Sequence, residues 1–155
     1  MRISTRGRYA LRAMIDLALH KDEGPVLRQD LAARQEISAD YVAQLFGRLQ
    51  SAGLAEGIKG PGGGYRLARD AGAITAGDVI QAVEGPIAVV HCALPCPGMQ
   101  PACSRQERCV THRLWTRLST ATQAFLDSVT LDDLCEEAQH LQSGTGELPP
   151  DWPTP

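Results

Sequence analysis

The sequence is poor in aromatic residues and has no long apolar run. Trp, Tyr and Phe make up 5% of its 155 residues, although hydrophobic residues together reach 43%, enough for the core of one domain. No window approaches the roughly 18 consecutive apolar residues of a membrane span. The amino-terminal residues contain no apolar segment followed by a small-residue cleavage site. We therefore expect a cytoplasmic protein with no membrane partner.

The common enzyme motifs are also missing. The glycine-rich run at residues 59–64 (KGPGGG) matches neither G-x-x-x-x-G-K-[ST] nor G-x-G-x-x-G, and no βαβ pattern surrounds it. The chain contains no C-x-x-C pair, and no serine, histidine and acid pattern of a hydrolase. We therefore predict that the protein is not an enzyme.

Charge is distributed unevenly along the chain. Residues 1–70 contain 11 Lys/Arg against 8 Asp/Glu, whereas residues 71–155 contain 4 against 10. The first twelve residues include four arginines and no acidic residue. A basic segment of this kind suits contact with a polyanion, and the alternative is an ordinary solvated surface.

The first half of the chain has the pattern of a winged helix. Apolar residues on one face predict helices over Thr5–Leu19 and Arg28–Gln35, and Ser38 is a good N-cap for a third helix ending near Ser51. Helix, short turn and helix is the outline of a helix-turn-helix, whose second helix enters the major groove. Residues 54–58 and 65–67 predict a hairpin with the glycine-rich run at its tip. The predicted fold class is mainly α with a small β-hairpin wing.

The second half predicts three further helices. Thr75 and Asp78 form a capping box that starts a helix to about Val83, and Thr130 and Asp133 start another to about Ala138. A long helix is predicted between them, from about residue 105 to 129. Its apolar positions step by four, three and four residues, which favours a seam against a partner helix; the alternative is that they cover the chain's own core. These positions are Leu114, Leu118, Ala121 and Phe125.

These patterns divide the chain into four segments. Residues 1–84 are predicted to form a winged helix-turn-helix DNA-binding domain, and residues 85–104 a cysteine-rich loop with candidate ligands for a metal or a cluster. Residues 105–140 form the dimerisation helix and a short C-terminal helix. Residues 141–155, rich in proline and polar residues, are a predicted disordered tail.

Four of the five cysteines lie close together: Cys92, Cys96, Cys103 and Cys109, with His112 three residues beyond the last. A cytoplasmic protein keeps such thiols reduced, and thiolates with an imidazole at short spacing are ligands of zinc and iron–sulfur sites. Spacing alone leaves two other possibilities open. One is a closed zinc site, although the cysteine gaps are longer than in most zinc modules; the other is a metal-free thiol switch at Cys92 and Cys96. Cys135, away from this loop, is expected to be a buried packing residue.

Several segments together resemble the Rrf2-type family of bacterial transcription regulators over about residues 1–140. They are MRISTRGRYALRAMIDLAL, ISADYVAQLFGRLQSAGL, KGPGGGYRLARD, RCVTHRLW and FLDSVTLDDL. The iron–sulfur regulators of the IscR kind are the most similar branch, with the nitric-oxide-sensing NsrR regulators as cousins. The resemblance implies a homodimeric repressor that binds palindromic operators in double-stranded DNA. It further implies sensing of iron–sulfur, redox or nitric oxide status through one 2Fe–2S cluster per subunit; a zinc-stabilised or thiol-switch regulator is the alternative.

The resemblance also implies a set of cluster ligands. Cys103, Cys109 and His112 match the spacing of the family's last three ligands. Cys92 matches the first by its distance from the preceding helix, but the loop is about five residues longer than the IscR pattern and contains Cys96. We favour Cys92 over Cys96 as the first ligand, with Cys96 in place of His112 a further possibility. Zinc is the less favoured occupant.

For DNA, the resemblance points to the chain's beginning, the helix from Ala39 and the wing. Gln44 keeps the family residue and is able to bond an adenine edge. Asp40 and Ala43 differ from the serine and glutamate of the IscR branch, so the operator sequence is not predicted. The expected DNA-binding residues are Arg2, Ser4, Arg8, Tyr9, Ser38, Asp40, Tyr41, Gln44, Arg48, Lys59, Gly60, Gly62 and Gly63.

Overall fold

A computed structural model describes residues 3–93, 103, 105–142 and 144 of the chain. Within this part, helices predominate and two antiparallel strands form one hairpin, which confirms the predicted fold class. No helix of the described residues is long and apolar enough to cross a membrane. The elements are α1 (Thr5–Leu19), α2 (Arg28–Gln35), α3 (Ala39–Ser51), β1 (Ala55–Ile58), β2 (Gly64–Leu67), α4 (Ala76–Glu84), α5 (Val110–Ser128) and α6 (Leu131–Gln142).

Helix α1 lies at the centre of the fold and packs against α2, α3, α4, α6 and β2. Its inner face contains Ala10, Ala13 and Met14, all fully buried. Two alanines on this face allow neighbouring helices to approach closely, since there is little side chain to separate them. Leu17 of the same helix is also buried, and the largest buried side chains that other parts of the chain contribute to the core are Phe46, Leu31, Leu45, Leu49, Leu54, Ile74 and Leu131.

The predicted helix-turn-helix is formed by α2 and α3. The chain leaves α2 through Glu36, whose φ of 56° is the left-handed conformation of a helix end. Ser38 then caps α3 as the sequence predicted, because its hydroxyl accepts a hydrogen bond from the Tyr41 backbone N–H at 3.1 Å. The inward face of α3 buries Val42, Leu45, Phe46 and Leu49.

The wing is fixed to the helical core by its second strand. β1 and β2 pair antiparallel, with Ala55 opposite Leu67 and Ile58 opposite Gly64. Tyr65 stacks on Phe46 of α3 with ring centroids 4.1 Å apart, and its backbone exchanges two 2.8 Å hydrogen bonds with Val26. A Cβ atom at Gly64 would overlap the Val26 carbonyl, so this glycine is needed for the close approach of the two backbones.

Both predicted capping boxes are present, but two helix bounds differ from the prediction. α5 begins at Val110 and not near residue 105, because Cys109 has an extended backbone (φ −90°, ψ 111°) and acts as the N-cap. A short 3-10 turn, Gln106–Arg108, precedes it. α6 runs to Gln142, four residues beyond the predicted end. Arg2 and Cys96 lie outside the described residues, as do residues 94–102 and 104 of the cysteine loop and residues 143 and 145–155 of the predicted tail. The first two residues of that predicted tail, Leu141 and Gln142, belong to α6.

The apolar stripe of α5 does not cover the chain's own core. Within α5, all of whose residues are described, only Ser119 is buried. Leu114 is 55% exposed, Leu118 42% and Phe125 37%, and Ala121 is exposed as well. The second interpretation of this stripe is therefore wrong for a single chain, and the stripe is left open to a partner.

A buried carboxylate joins α1 to α2. Asp16, 5% exposed, accepts hydrogen bonds from Arg34 Nε at 3.0 Å and Nη2 at 2.7 Å, and from Gln35 Nε2 at 2.7 Å. Gln35 is itself buried, and its Oε1 accepts from Arg12 Nε at 3.0 Å. Because Arg34 is 37% exposed, water screens its charge, and the Gln35 amide is the partner that most needs Asp16.

Replacing Asp16 by alanine is expected to lower the free energy of unfolding by about 2–3 kcal/mol, because the buried Gln35 amide loses its acceptor. Urea denaturation followed by circular dichroism measures this loss. The control is Glu56→Ala in the wing, which removes the exposed Glu56–Arg66 ion pair and should cost less than about 1 kcal/mol. Equal losses in the two variants would contradict the importance of the buried network.

Candidate functional site

The start of α1 and the outer face of α3 enclose a polar depression of about 340 Å³. It is lined by Ser4, Thr5, Arg6, Tyr41, Gln44, Leu45 and Arg48, and we call it the α1–α3 depression. Four of the residues expected to contact DNA meet here: Ser4, Tyr41, Gln44 and Arg48. Thr5 and Arg6 were not predicted, although the arginine-rich beginning of the chain was the signal that could have identified Arg6.

Two guanidinium groups of this depression are held by the end of α4. Arg6 Nη1 and Arg48 Nη1 donate to the same carbonyl oxygen, that of Val83, at 3.2 and 3.4 Å. The last carbonyls of a helix lack partners within the helix and carry partial negative charge, so cations are favoured there. The depression therefore has its arginines oriented before any ligand binds.

Tyr9 and Tyr41 connect α1 to α3. Their rings meet edge to face with centroids 6.1 Å apart, and the Arg12 guanidinium lies 5.3 Å from the Tyr9 ring centroid. Both tyrosines are half-buried, so each has a packing role besides any contact with DNA. Ser38 likewise has a structural role as the N-cap of α3. Arg8, Asp40 and Gln44 are exposed.

The wing borders a second groove, of about 390 Å³, at the start of α2. Lys59 and Gly63 of the wing line it, as predicted DNA-binding residues. Arg28, Gln29 and Gln50 line it as well. They were not predicted, because they lie on α2 and α3 and reach the wing only in the folded chain. Gly60 and Gly62 have φ values of 100° and 74°, which favour glycine. At Gly63 a Cβ would overlap the Ile58 carbonyl, so the turn itself requires this glycine.

Cys92 and His112 line one cavity of about 670 Å³, which we call the cysteine cavity. It lies between α4, the following segment and α5, and Gln81, Pro86, Ile87 and Gln106 also border it. His112 Nδ1 is buried and has no hydrogen-bond partner among the described residues. A buried nitrogen without a partner is costly, and a metal ligand role would satisfy it.

Cys109 is held close to His112 by the start of α5. Its Sγ accepts a hydrogen bond from the His112 backbone N–H at 3.4 Å and lies 3.1 Å from Thr111 Oγ1. The bond with Thr111, and then that with His112, lowers the pKa of the Cys109 thiol. The capping position therefore favours the thiolate that a metal would require.

The remaining cysteines are placed differently. Cys103 is exposed, and neither Cys103 nor Cys109 lines the cysteine cavity. Across the described ranges, no three His, Cys, Asp or Glu residues come together as a metal site. Cys92 and the unpartnered His112 nitrogen fit a soft metal or cluster, while Cys103 is not brought to them. Cys135 is buried in α6 as expected, and burial, with Asp132, raises the pKa of its thiol to about 11.

The segment that contains Cys92 is attached to α5 by a single buried serine. The Val89 backbone N–H donates to Ser119 Oγ at 3.0 Å, and this hydroxyl donates to the Trp115 carbonyl at 2.8 Å. Because Ser119 is the one buried residue of the fully described α5, this bond fixes the segment against the helix that supplies His112.

Comparisons with known proteins agree with this architecture. Residues 3–137 match the model of the Rrf2 family, described as an iron-dependent transcriptional regulator. The chain is 45% identical over 141 residues to the HTH-type transcriptional regulator IscR of Xenorhabdus nematophila, covering 91% of this chain and 83% of that protein. The corresponding IscR of Yersinia enterocolitica is 44% identical over 142 residues, covering 92% of this chain and 84% of its own length.

Solved structures give the same result. The IscR of T. potens superposes with a TM-score of 0.73 at 35% identity, covering 92% of this chain and 91% of that one. CymR, the global cysteine regulator of B. subtilis, superposes with a TM-score of 0.69 at 40% identity, covering 88% and 97%. The family model spans most of the chain, and the relatives share its winged-helix architecture. The chain therefore belongs to the Rrf2 family.

Proposed function

We propose that this protein is a DNA-binding transcriptional regulator of the IscR type, which acts as a homodimeric repressor and senses iron–sulfur, redox or nitric oxide status. One observation carries the proposal: α4 borders both candidate sites. Its residue Gln81 lines the cysteine cavity, and its Val83 carbonyl accepts hydrogen bonds from the two arginines of the α1–α3 depression. A change at the cysteines therefore has a short physical route to the DNA-binding surface.

DNA binding would use the two polar surfaces described above. Helix α3 enters the major groove, where the exposed Gln44 reads a base edge, and Arg8 contacts a phosphate. Lys59 at the tip of the wing and Arg28 at the start of α2 line one groove, so both suit contact with the neighbouring backbone. The operator would be palindromic, because two copies of α3 related by two-fold symmetry read two half-sites.

Cys92, Cys103, Cys109 and His112 would hold a 2Fe–2S cluster, one in each subunit, with Cys96 as the alternative first ligand. When bound, such a cluster supplies one-electron redox chemistry and reactivity towards nitric oxide. The chain's own contribution is to present the ligands. Ser119 holds the Cys92 segment against α5, and the N-cap position favours the Cys109 thiolate. His112 Nδ1 has no hydrogen-bond partner in the part of the chain that the structure describes.

The exposed stripe of α5 supports the homodimer. Four exposed apolar residues follow one face of this 19-residue helix: Leu114, Leu118, Ala121 and Phe125. The same face on a second copy is complementary to it, since a two-fold axis places equal apolar stripes against each other.

The first test is of the cluster. Protein purified without oxygen should absorb visible light and contain about two iron and two sulfide per subunit. Cys92→Ala should lose this absorption because a ligand is removed, whereas Cys96→Ala should keep it. Cys135→Ala is the control, since this buried thiol lies in α6 away from the cavity. A colourless protein with stoichiometric zinc, or loss of the cluster in Cys96→Ala alone, would contradict these assignments.

The second test is of the DNA surface, using a duplex that the wild-type protein selects from a random library. Lys59→Ala should weaken binding to all sequences and reduce the salt slope by about one. Gln44→Ala should instead relax preference at one position per half-site, at a cost of about 1–3 kcal/mol. Lys21→Ala, an exposed lysine after α1, is the control. Unchanged binding in both Lys59 and Gln44 variants would show that the reading surface lies elsewhere.

The third test is of the dimer. Leu118→Glu places a charge in the centre of the α5 stripe and should convert the protein to monomers in sedimentation equilibrium, since an unpaired charge in an apolar interface is costly. Its circular dichroism should be unchanged, because Leu118 is exposed in the single chain. Leu27→Glu alters a leucine of similar exposure, 44%, outside the stripe and should remain dimeric. A Leu118→Glu dimer as stable as wild type would exclude this face as the interface.

A further inference from the structure

Glu84, the last residue of α4, holds the beginning of α1. Its Oε1 accepts hydrogen bonds from Ser4 N at 3.1 Å, Ser4 Oγ at 2.8 Å and Gly7 N at 3.0 Å. The first backbone N–H groups of a helix have no partner within the helix, and the positive end of the helix dipole favours an anion there. One carboxylate from a distant part of the sequence thus satisfies donors at the first turn of α1.

The preceding residue extends the same connection to α3. The Val83 carbonyl accepts from Arg6 of α1 and Arg48 of α3, as described above. The last two residues of α4 therefore contact both elements that line the α1–α3 depression. Through these contacts, the position of the end of α4 determines how the two DNA-facing elements lie relative to each other.

On its other side, the end of α4 leads directly to the cysteine cavity. Gly85 ends the helix with a φ of 90°, and Pro86 and Ile87 line the cavity together with Cys92 and His112. The Val89–Ser119 hydrogen bond attaches this segment to α5. A movement of the Cys92 segment would therefore also move Gly85 and the carboxyl end of α4.

We propose that Glu84 is a positioning residue that holds the DNA-facing start of α1 to α4 and transmits the state of the Cys92 segment to the DNA-binding surface of the same subunit. This inference rests on the proposed function, because it requires that DNA affinity depend on the cluster. In this proposal Glu84 is neither a cluster ligand nor a base-reading residue. It acts through Ser4, Gly7 and the orientation of α1.

A substitution at Gly7 tests the same contact from the side of α1. It is buried, and a Cβ added to it would overlap Glu84 Oε1, with the Ile3 side chain next nearest. Its helical backbone accepts alanine without strain, so Gly7→Ala would act by displacing the carboxylate. A double-mutant cycle with Glu84→Ala then separates this effect from a general loss of packing.

The experiment measures the dissociation constant for the selected operator duplex, with and without the cluster, in wild type, Glu84→Ala and Glu84→Gln. In wild type we expect the two constants to differ by at least about fivefold. In Glu84→Ala the ratio of the dissociation constants without and with the cluster should be about one. Glu84→Gln keeps an acceptor oxygen, so its ratio should lie between those of wild type and Glu84→Ala. Hydrogen exchange at the Gly7 amide should accelerate in Glu84→Ala, and the melting temperature should be recorded for every variant.

The outcomes separate three explanations. Glu84→Ala and Glu84→Gln each remove one negative charge. If only this charge matters, both variants will change the affinity for DNA equally and keep the wild-type ratio, and that result would overturn the inference. Gly7→Ala should lower the ratio in the wild-type background but have no further effect with Glu84→Ala; additive losses would also overturn it. Wild-type binding that is independent of the cluster would instead refute the proposed function, and the inference with it.

Discussion

The burial of α1 is the constraint on which the rest of the structure depends. Five other elements pack against this helix, and Ala10 and Ala13 on its inner face let them come close. The helix is also held by polar contacts at both ends of its buried length. Asp16 connects it to α2, and its first turn is held by Glu84 of α4. The elements that contact DNA in our proposal are therefore positioned by one helix, and any shift of α1 is a shift of the interface.

Helix α4 complements this arrangement because its polar carboxyl end lies between the two candidate sites. Apolar burial of Val79, Ile80 and Val83 holds the helix in the domain but has little directional preference. Direction comes from the terminal groups: the Val83 carbonyl orients two arginines, and the Glu84 carboxylate holds two backbone N–H groups and a hydroxyl. Hydrogen bonds that involve charged groups depend on direction and are stronger than neutral ones, which is why a small shift at a helix end has a defined effect on its partners.

The proposed cluster ligands are held in different ways. His112 is on a regular helix, Cys109 is the cap of that helix, and Cys92 lies on a 3-10 turn attached through Ser119. Cys103 is exposed and, like Cys109, does not line the cysteine cavity. Ligands on separate segments can come together only when their loop adopts one conformation, and binding a metal contributes free energy to that ordering. Such a site is suited to coupling occupancy to the position of its segments.

From the sequence alone, the helix-turn-helix, the wing, the two capping boxes and the family were predictable. Each depends on local periodicity, caps or turn residues, which act within a few residues. The start of α5 was not predictable. Cys109 could lie within the helix or act as its N-cap, and the choice depends on the hydrogen bonds that its thiol makes. The burial of Cys135 was also predicted correctly. The cluster ligand set, which the family resemblance implied, stays a prediction. Three features were decided by the tertiary structure alone: the shared carbonyl acceptor of Arg6 and Arg48, the exposure of the α5 stripe, and the contact between Glu84 and Ser4. Glu84 and Ser4 are 80 positions apart in the sequence, and they meet through packing that local sequence patterns do not encode.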